Sequence, residues 1–237
     1  MNAFVAGSTG YTGRAVVAEL AGRGIATTAH IRPGSPRLEE WRARFTGLGA
    51  AVDATAWSAE AMAATLARQT PDLVFALLGT TRARSRRAER TGMAPETYES
   101  VDYGLTSLLI DAVRSAAPRA RLIYLSSLGV RDGTRNPYLA ARARVERKLR
   151  ESGLSFVIAR PSFITGPDRD ESRPGERIGA FVADRVLGLA ALLGGGALRA
   201  RFGSTTNREL ARALVRLALE SGRESLVAEA NQLRDPH

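Results

Sequence analysis

Three glycines constrain most what this chain can fold into. In Phe4-Val5-Ala6-Gly7-Ser8-Thr9-Gly10-Tyr11-Thr12-Gly13-Arg14 they stand three apart, directly behind an apolar run and at the opening of a helical pattern. A chain that leaves a strand, turns at once and starts a helix needs glycine wherever a β-carbon would collide. In an open α/β sheet this arrangement turns backbone amides and a helix N-terminus toward an anion. Gly7 is expected to allow the tight turn, Gly10 the close approach of a pyrophosphate, and Gly13 the packing of helix on strand. Ser8, Thr9, Tyr11 and Thr12 complete the cradle.

The rest of the chain supplies the context that such a turn requires. Apolar runs at Ala3–Ala6, Ile25–Ile31, Ala51–Asp53, Leu73–Leu78, Arg121–Leu125 and Phe156–Ala159 alternate with helical patterns at Thr12–Arg23, Pro36–Leu48, Ala59–Gln69, Tyr98–Ala116 and Pro137–Glu151. That alternation predicts βαβ units and a doubly wound parallel sheet, an α/β fold. With no repeat or low-complexity linker, residues 1–237 read as one domain. Within it, the Gly-, Pro- and Arg-rich stretch 166–205 is expected to form a small C-terminal substrate lobe over the cleft. Helix Asn207–Glu220 is expected to return the chain to the sheet.

Composition excludes several chemistries. There is no cysteine and there are only two histidines, His30 and His237, so disulfides, thiolate metal sites, a cysteine nucleophile and a serine–histidine relay are absent, and no metal site is expected. The net charge of +10 is almost wholly arginine, Lys148 being the single lysine, and reads as a solvated basic surface. The tract Arg82–Arg90 has no interleaved aromatics for stacking bases, so a nucleic-acid partner is not expected. The glycine turn close behind Met1 gives the expectation of no secretory leader, and no run approaches the ~20 apolar residues of a membrane span; a cytoplasmic protein is expected.

The end of the second strand selects among dinucleotides, because an acid there bonds the ribose 2′-hydroxyl of NAD whereas an arginine accommodates the 2′-phosphate of NADP. Here the chain reads Ala29-His30-Ile31-Arg32-Pro33-Gly34-Ser35-Pro36-Arg37, with no acid before Glu39. NADP is therefore expected ahead of NAD, with Arg32 as the phosphate ligand and Ser35 and Arg37 behind it. Asp53 has two readings, a contact to the adenine amino group or a loop cap.

The fifth strand delivers Ser126-Ser127 to the carboxyl edge of the sheet. Eleven residues on, Tyr138 opens a helix that has Asn136 as N-cap and Pro137 at its first position, and Arg142 shares its face four residues later. Serine, tyrosine and a cation in this arrangement suit proton transfer: one of the two serines binds a carbonyl oxygen, Tyr138 gives or takes the proton, and Arg142 favours the phenolate.

Taken with the glycines, the tracts Leu125-Ser126-Ser127, Tyr138-x-x-x-Arg142-x-x-x-Glu146-x-x-Leu149, Ser152-Gly153-Leu154 and Arg160–Pro167 resemble the atypical or extended short-chain dehydrogenases/reductases, which have the Rossmann fold. Leu78-Gly79-Thr80-Thr81-Arg82, Val101-Asp102-Tyr103 and Asp168–Glu176 are similar to the branch related to the Tat-interacting protein. The resemblance implies that Leu78, Gly79 and Thr80 run beside the adenosine and its ribose. Ser127 would bind substrate, Tyr138 would be the acid/base, and Pro161, Phe163 and Ile164 would line the nicotinamide. That family has a lysine where this chain has Arg142, and the lysine also bonds the nicotinamide ribose.

The expected function is an NADP-dependent oxidoreductase that moves a hydride between nicotinamide and a small carbonyl or alcohol. The alternative is a non-catalytic NADP(H)-binding regulator that presents a cofactor-dependent surface to a protein partner.

Overall fold

The computed structural model describes residues 1–80, 95–162, 164–165, 205–220 and 225–234. Phe163, the tract Arg82–Arg90 and nearly all of the expected lobe at 166–205 lie outside them. Strands β1 (Asn2–Ala6), β2 (Ala26–His30), β3 (Ala51–Asp53), β4 (Leu73–Ala76), β5 (Arg121–Leu125), β6 (Phe156–Arg160) and β9 (Ser225–Glu229) form a seven-stranded sheet in the order β3-β2-β1-β4-β5-β6-β9. Every pairing in it is parallel. Two short strands, β7 (Ile164–Thr165) and β8 (Thr205–Thr206), pair separately.

The sheet is covered on both faces, and the alternation of strand side chains shows how. Val5, Phe75, Ile123 and Val157 point into one core with Val16, Val17 and Leu20 of α1 (Tyr11–Gly22), Trp41 and Phe45 of α2 (Leu38–Thr46), and Leu210 and Leu214 of α6 (Asn207–Leu219). Phe4, Val74, Leu122, Tyr124 and Ile158 point into the other, with Met62 and Leu66 of α3 (Ala59–Gln69), Leu109 and Val113 of α4 (Thr106–Ala116), and Val145 and Leu149 of α5 (Pro137–Glu151). Strands buried on both sides must be apolar throughout, which is why they read as continuous runs. This is the doubly wound Rossmann arrangement, with strand order reversing at β1 and β4 so that a crevice opens beyond their carboxyl ends.

Four elements differ from expectation, one helical segment and three strands. The predicted helix Tyr98–Ala116 begins as a π-helical segment, Tyr98–Leu105, before α4; Thr97 and Ser100 cap it reciprocally. The wider turn carries Asp102 inward, where it is 1% exposed. Strands β7, β8 and β9 have no counterpart among the expected runs. Ser225-Leu226-Val227-Ala228-Glu229 has only three apolar residues, too short a run to signal a strand on its own.

Candidate functional site

The glycine turn has the geometry its spacing predicts. Gly7 sits at φ +82°, and a β-carbon there would lie 2.5 Å from the Leu77 carbonyl oxygen. A β-carbon on Gly13 would lie 2.1 Å from the Gly7 carbonyl oxygen, so strand and helix meet backbone to backbone. Gly10 differs: a β-carbon there would meet only the Gly7 carbonyl oxygen, at 3.1 Å. It is the N-cap of α1 and makes no side-chain capping bond. Space is left in front of a helix N-terminus, which fits a pyrophosphate. Buried Ser8 donates to the His30 carbonyl oxygen at 2.7 Å and pins the turn to the end of β2. His30 is itself buried, its Nε2 2.8 Å from the Thr55 carbonyl oxygen, and burial pushes its pKa below the ordinary value of 6.5.

At the carboxyl ends of β2 and β3, Asp53 accepts from the Thr55 amide at 2.9 Å and from the Thr55 hydroxyl at 3.1 Å, the geometry of a loop cap. Arg32 follows β2 and ion-pairs with Glu96 at 2.5 Å, while Glu96 also accepts from the Thr80 hydroxyl at 3.2 Å.

Beyond β4 and β5, one side chain joins the remaining pieces. Arg142 is 6% exposed. One Nη donates to the Leu125 carbonyl oxygen at the end of β5, and the other lies 3.0 Å from Asp102 Oδ1. Asp102 Oδ2 in turn accepts from the Thr80 amide at 3.0 Å. The guanidinium lies under the Tyr138 ring, 4.6 Å from its centroid, and Tyr98 packs edge-on against the same ring at 5.4 Å. Burial draws the Asp102 carboxyl upward, against the pull of Arg142 and the Thr80 amide. Desolvation opposes the Arg142 charge too, but the Asp102 carboxylate beside it and the intrinsic basicity of a guanidinium keep it protonated.

The two serines separate as strand alternation predicts. Ser126 is buried and donates to Glu146 Oε1 at 2.6 Å, whereas half-buried Ser127 stands in the turn beyond the strand. The Leu128 amide donates to the Pro161 carbonyl oxygen at 2.9 Å, which brings that turn against the start of the segment after β6. Ile164 lies in β7, with its side chain packed on the α1–α6 core.

A family model described as NAD(P)H-binding matches residues 7–186. The chain belongs to this NAD(P)H-binding family. Among individual relatives, the protein fmp52-1, mitochondrial, of Aspergillus terreus is 29% identical over 132 residues, 55% of this chain and 52% of that protein. The protein fmp52, mitochondrial, of Aspergillus niger is 25% identical over 197 residues, 81% of this chain and 76% of that one. The match thus spans about half of the first relative and three quarters of the second. In solved structures the fold recurs in a UDP-glucose-4-epimerase from Stenotrophomonas maltophila with bound NAD, at TM-score 0.64 and 21% identity over 96% of this chain and 76% of that one. It recurs also in a UDP-glucose 4-epimerase from Thermotoga maritima, at TM-score 0.62 and 19% identity over 98% and 80%. No helix among the described residues is long and apolar enough to cross a membrane. Both fungal relatives carry the word mitochondrial in their names, so the cytoplasmic expectation has no support from them.

Within this NAD(P)H-binding chain, Gly7–Gly13, Leu78–Thr80, Ser127, Tyr138, Arg142 and Pro161 all gather at the carboxyl edge of the sheet. Asp102, Glu96 and Glu146 are the site residues to which sequence reasoning gave no role. A single acid on an amphipathic helix carries no signal of burial. Only the inward turn at Tyr98–Leu105 shows that Asp102 is the counter-ion of Arg142.

Proposed function

We propose that this NAD(P)H-binding protein is an NADP-dependent oxidoreductase acting on a small carbonyl or alcohol, on the branch related to the Tat-interacting protein. The observation that carries the reading is the stacking of Tyr138 on a buried, Asp102-paired Arg142 beside the turn that bears Ser127. The bound nicotinamide would supply the hydride chemistry. Ser127 holds the substrate oxygen by a hydrogen bond, and Tyr138 passes a proton to or from it through its Oη. Arg142 fixes the ring and places positive charge beneath it, and in a site shielded from water such placement counts for more as charge develops on the phenol. Leu78–Thr80 and the Gly7–Gly13 turn hold the adenosine half, Arg32 meets the 2′-phosphate, and Pro161 lines the nicotinamide.

The decisive variant is Tyr138→Phe. Losing the general acid should cost ~10²–10⁴-fold in carbonyl reduction while NADPH affinity by calorimetry stays within a few-fold. Unchanged turnover would make Tyr138 a packing residue. One observation favours the second reading, a dinucleotide-binding regulator of a protein partner: both Arg142 Nη atoms are bonded inside the protein, where the family's lysine would reach the cofactor ribose. A parent protein that binds NADPH yet turns over no carbonyl would establish that reading.

A further inference from the structure

The adenosine end of the cleft contains an acid that the glycine motif and the proton-transfer residues leave without a role. Glu96 is held from two sides: Arg32 Nη1 lies 2.5 Å from its Oε1, and the Thr80 hydroxyl donates to its Oε2 at 3.2 Å. Arg32 follows β2 and Thr80 follows β4, and in the sheet β1 runs between those strands, with the Gly7–Gly13 turn at its end. The carboxylate and its arginine therefore join the two banks of the crevice where a dinucleotide's adenosine ribose belongs.

The two partners are held unequally. The Arg32 side chain is 54% exposed and the Glu96 side chain 19%. Thr80, which anchors Glu96, is itself buried and has its amide on Asp102. When an anion arrives, Arg32 can turn to it while Glu96 stays. A phosphate entering there gains the arginine but faces a fixed carboxylate, and like charges at close range repel. A ribose hydroxyl faces no such opposition and finds an acceptor. In folds of this kind the acid that reads the ribose stands at the end of the second strand. Here that position is Ile31-Arg32, and the acid comes from the far bank.

We propose that Glu96 is a specificity residue for the dinucleotide: it competes with the 2′-phosphate of NADP for Arg32 and accepts the 2′-hydroxyl of NAD in its place. The proposal rests on the dinucleotide reading above, and it makes the balance between the two nucleotides a property of the Arg32–Glu96 pair. The test is calorimetric titration of NADPH and NADH into the parent, Glu96→Gln, Arg32→Ala and the double variant. Glu96→Gln should raise the ratio of NADPH to NADH affinity about fivefold or more, equivalent to about 1 kcal/mol, the upper range for a half-exposed pair. In the Arg32→Ala background the same change should bring NADPH much less, because the arginine it releases is gone. A ratio that stays within twofold of the parent in Glu96→Gln, or NADPH affinity that falls, would overturn the proposal while leaving dinucleotide binding intact. Failure of the folded parent to bind either nucleotide would overturn the functional reading and the proposal together.

Discussion

An arginine beneath a tyrosine reaches different partners from a lysine. A compact ammonium can sit between a phenol and a ribose hydroxyl, whereas the planar guanidinium presents donors at fixed angles. In this chain the two Nη donors are taken by the Leu125 carbonyl oxygen and Asp102 while the buried Nε has no partner among the described residues, so Arg142 grips the end of β5 and the π-helical segment with its guanidinium beneath Tyr138. Charge is retained; what changes is where the donors point. Arg142→Ala should therefore cost stability as well as turnover, because it strands a buried carboxylate. Breaking such a pair typically costs about 3–5 kcal/mol, and a drop in the urea midpoint would show it. Arg142→Lys keeps the charge beside Asp102 and should recover most of the stability. If Arg142→Ala melts and turns over like the parent, the guanidinium is neither structural nor catalytic.

The strand–turn–helix unit at Asn2–Gly22 lets two glycines be separated by experiment. At Gly13 an added methyl would lie well inside van der Waals contact distance of the Gly7 carbonyl oxygen, so Gly13→Ala should destabilise by about 3 kcal/mol. At Gly10 the methyl meets only one oxygen, at 3.1 Å, so Gly10→Ala should melt close to the parent yet bind NADPH at least ~10-fold more weakly by calorimetry. Equal affinity in a folded Gly10→Ala protein would mean that the pyrophosphate lies elsewhere. This unit was fully legible in the sequence, because strand, turn and helix all follow from short-range pattern. So was α5, whose Asn136 cap accepts from the Tyr138 and Leu139 amides and whose first position is Pro137. Illegible were the contacts that depend on three dimensions. Nothing local to Asp102 or Glu96 distinguishes them from solvated acids, and β9 is short enough that only its pairing with β6 defines it.

On the scale of the whole molecule, the sheet's last three strands are clasped to α5 by charge. Glu146, 1% exposed, accepts from Ser126 at the end of β5, from Arg150 on its own helix, and from Arg160 at the end of β6. Arg160 reaches on to Glu229 at the end of β9 at 2.9 Å. Burial by itself would raise the Glu146 pKa, but the hydrogen bonds from Arg160 and Ser126 prevail and hold it below its ordinary 4.5. A carboxylate depressed in the folded state contributes stability that is present above the unfolded pKa and is lost as pH falls through the folded one. The parent should therefore lose stability below about pH 4.5, and Glu146→Gln should start lower at neutral pH but lose less through that window. Denaturant midpoints across the acid range would check this, and parallel curves would remove Glu146 from the account.

The parallel pairing of β6 with β9 also bears on how the chain reaches its native state. Phe156 pairs with Ser225, 69 residues further along the chain. A hairpin closes as soon as its turn forms, but this pairing must wait for a long crossover to be laid down and closed, and the entropy of that closure is lost before any contact compensates it. Until then one side of β6 presents a row of unsatisfied amides and carbonyls flanked by Val157 and Ile158, a surface on which a second unfolded chain can add. Crowded refolding should accordingly fail through intermolecular strand addition at β6, and the emerging polypeptide on the ribosome passes through the same vulnerable interval.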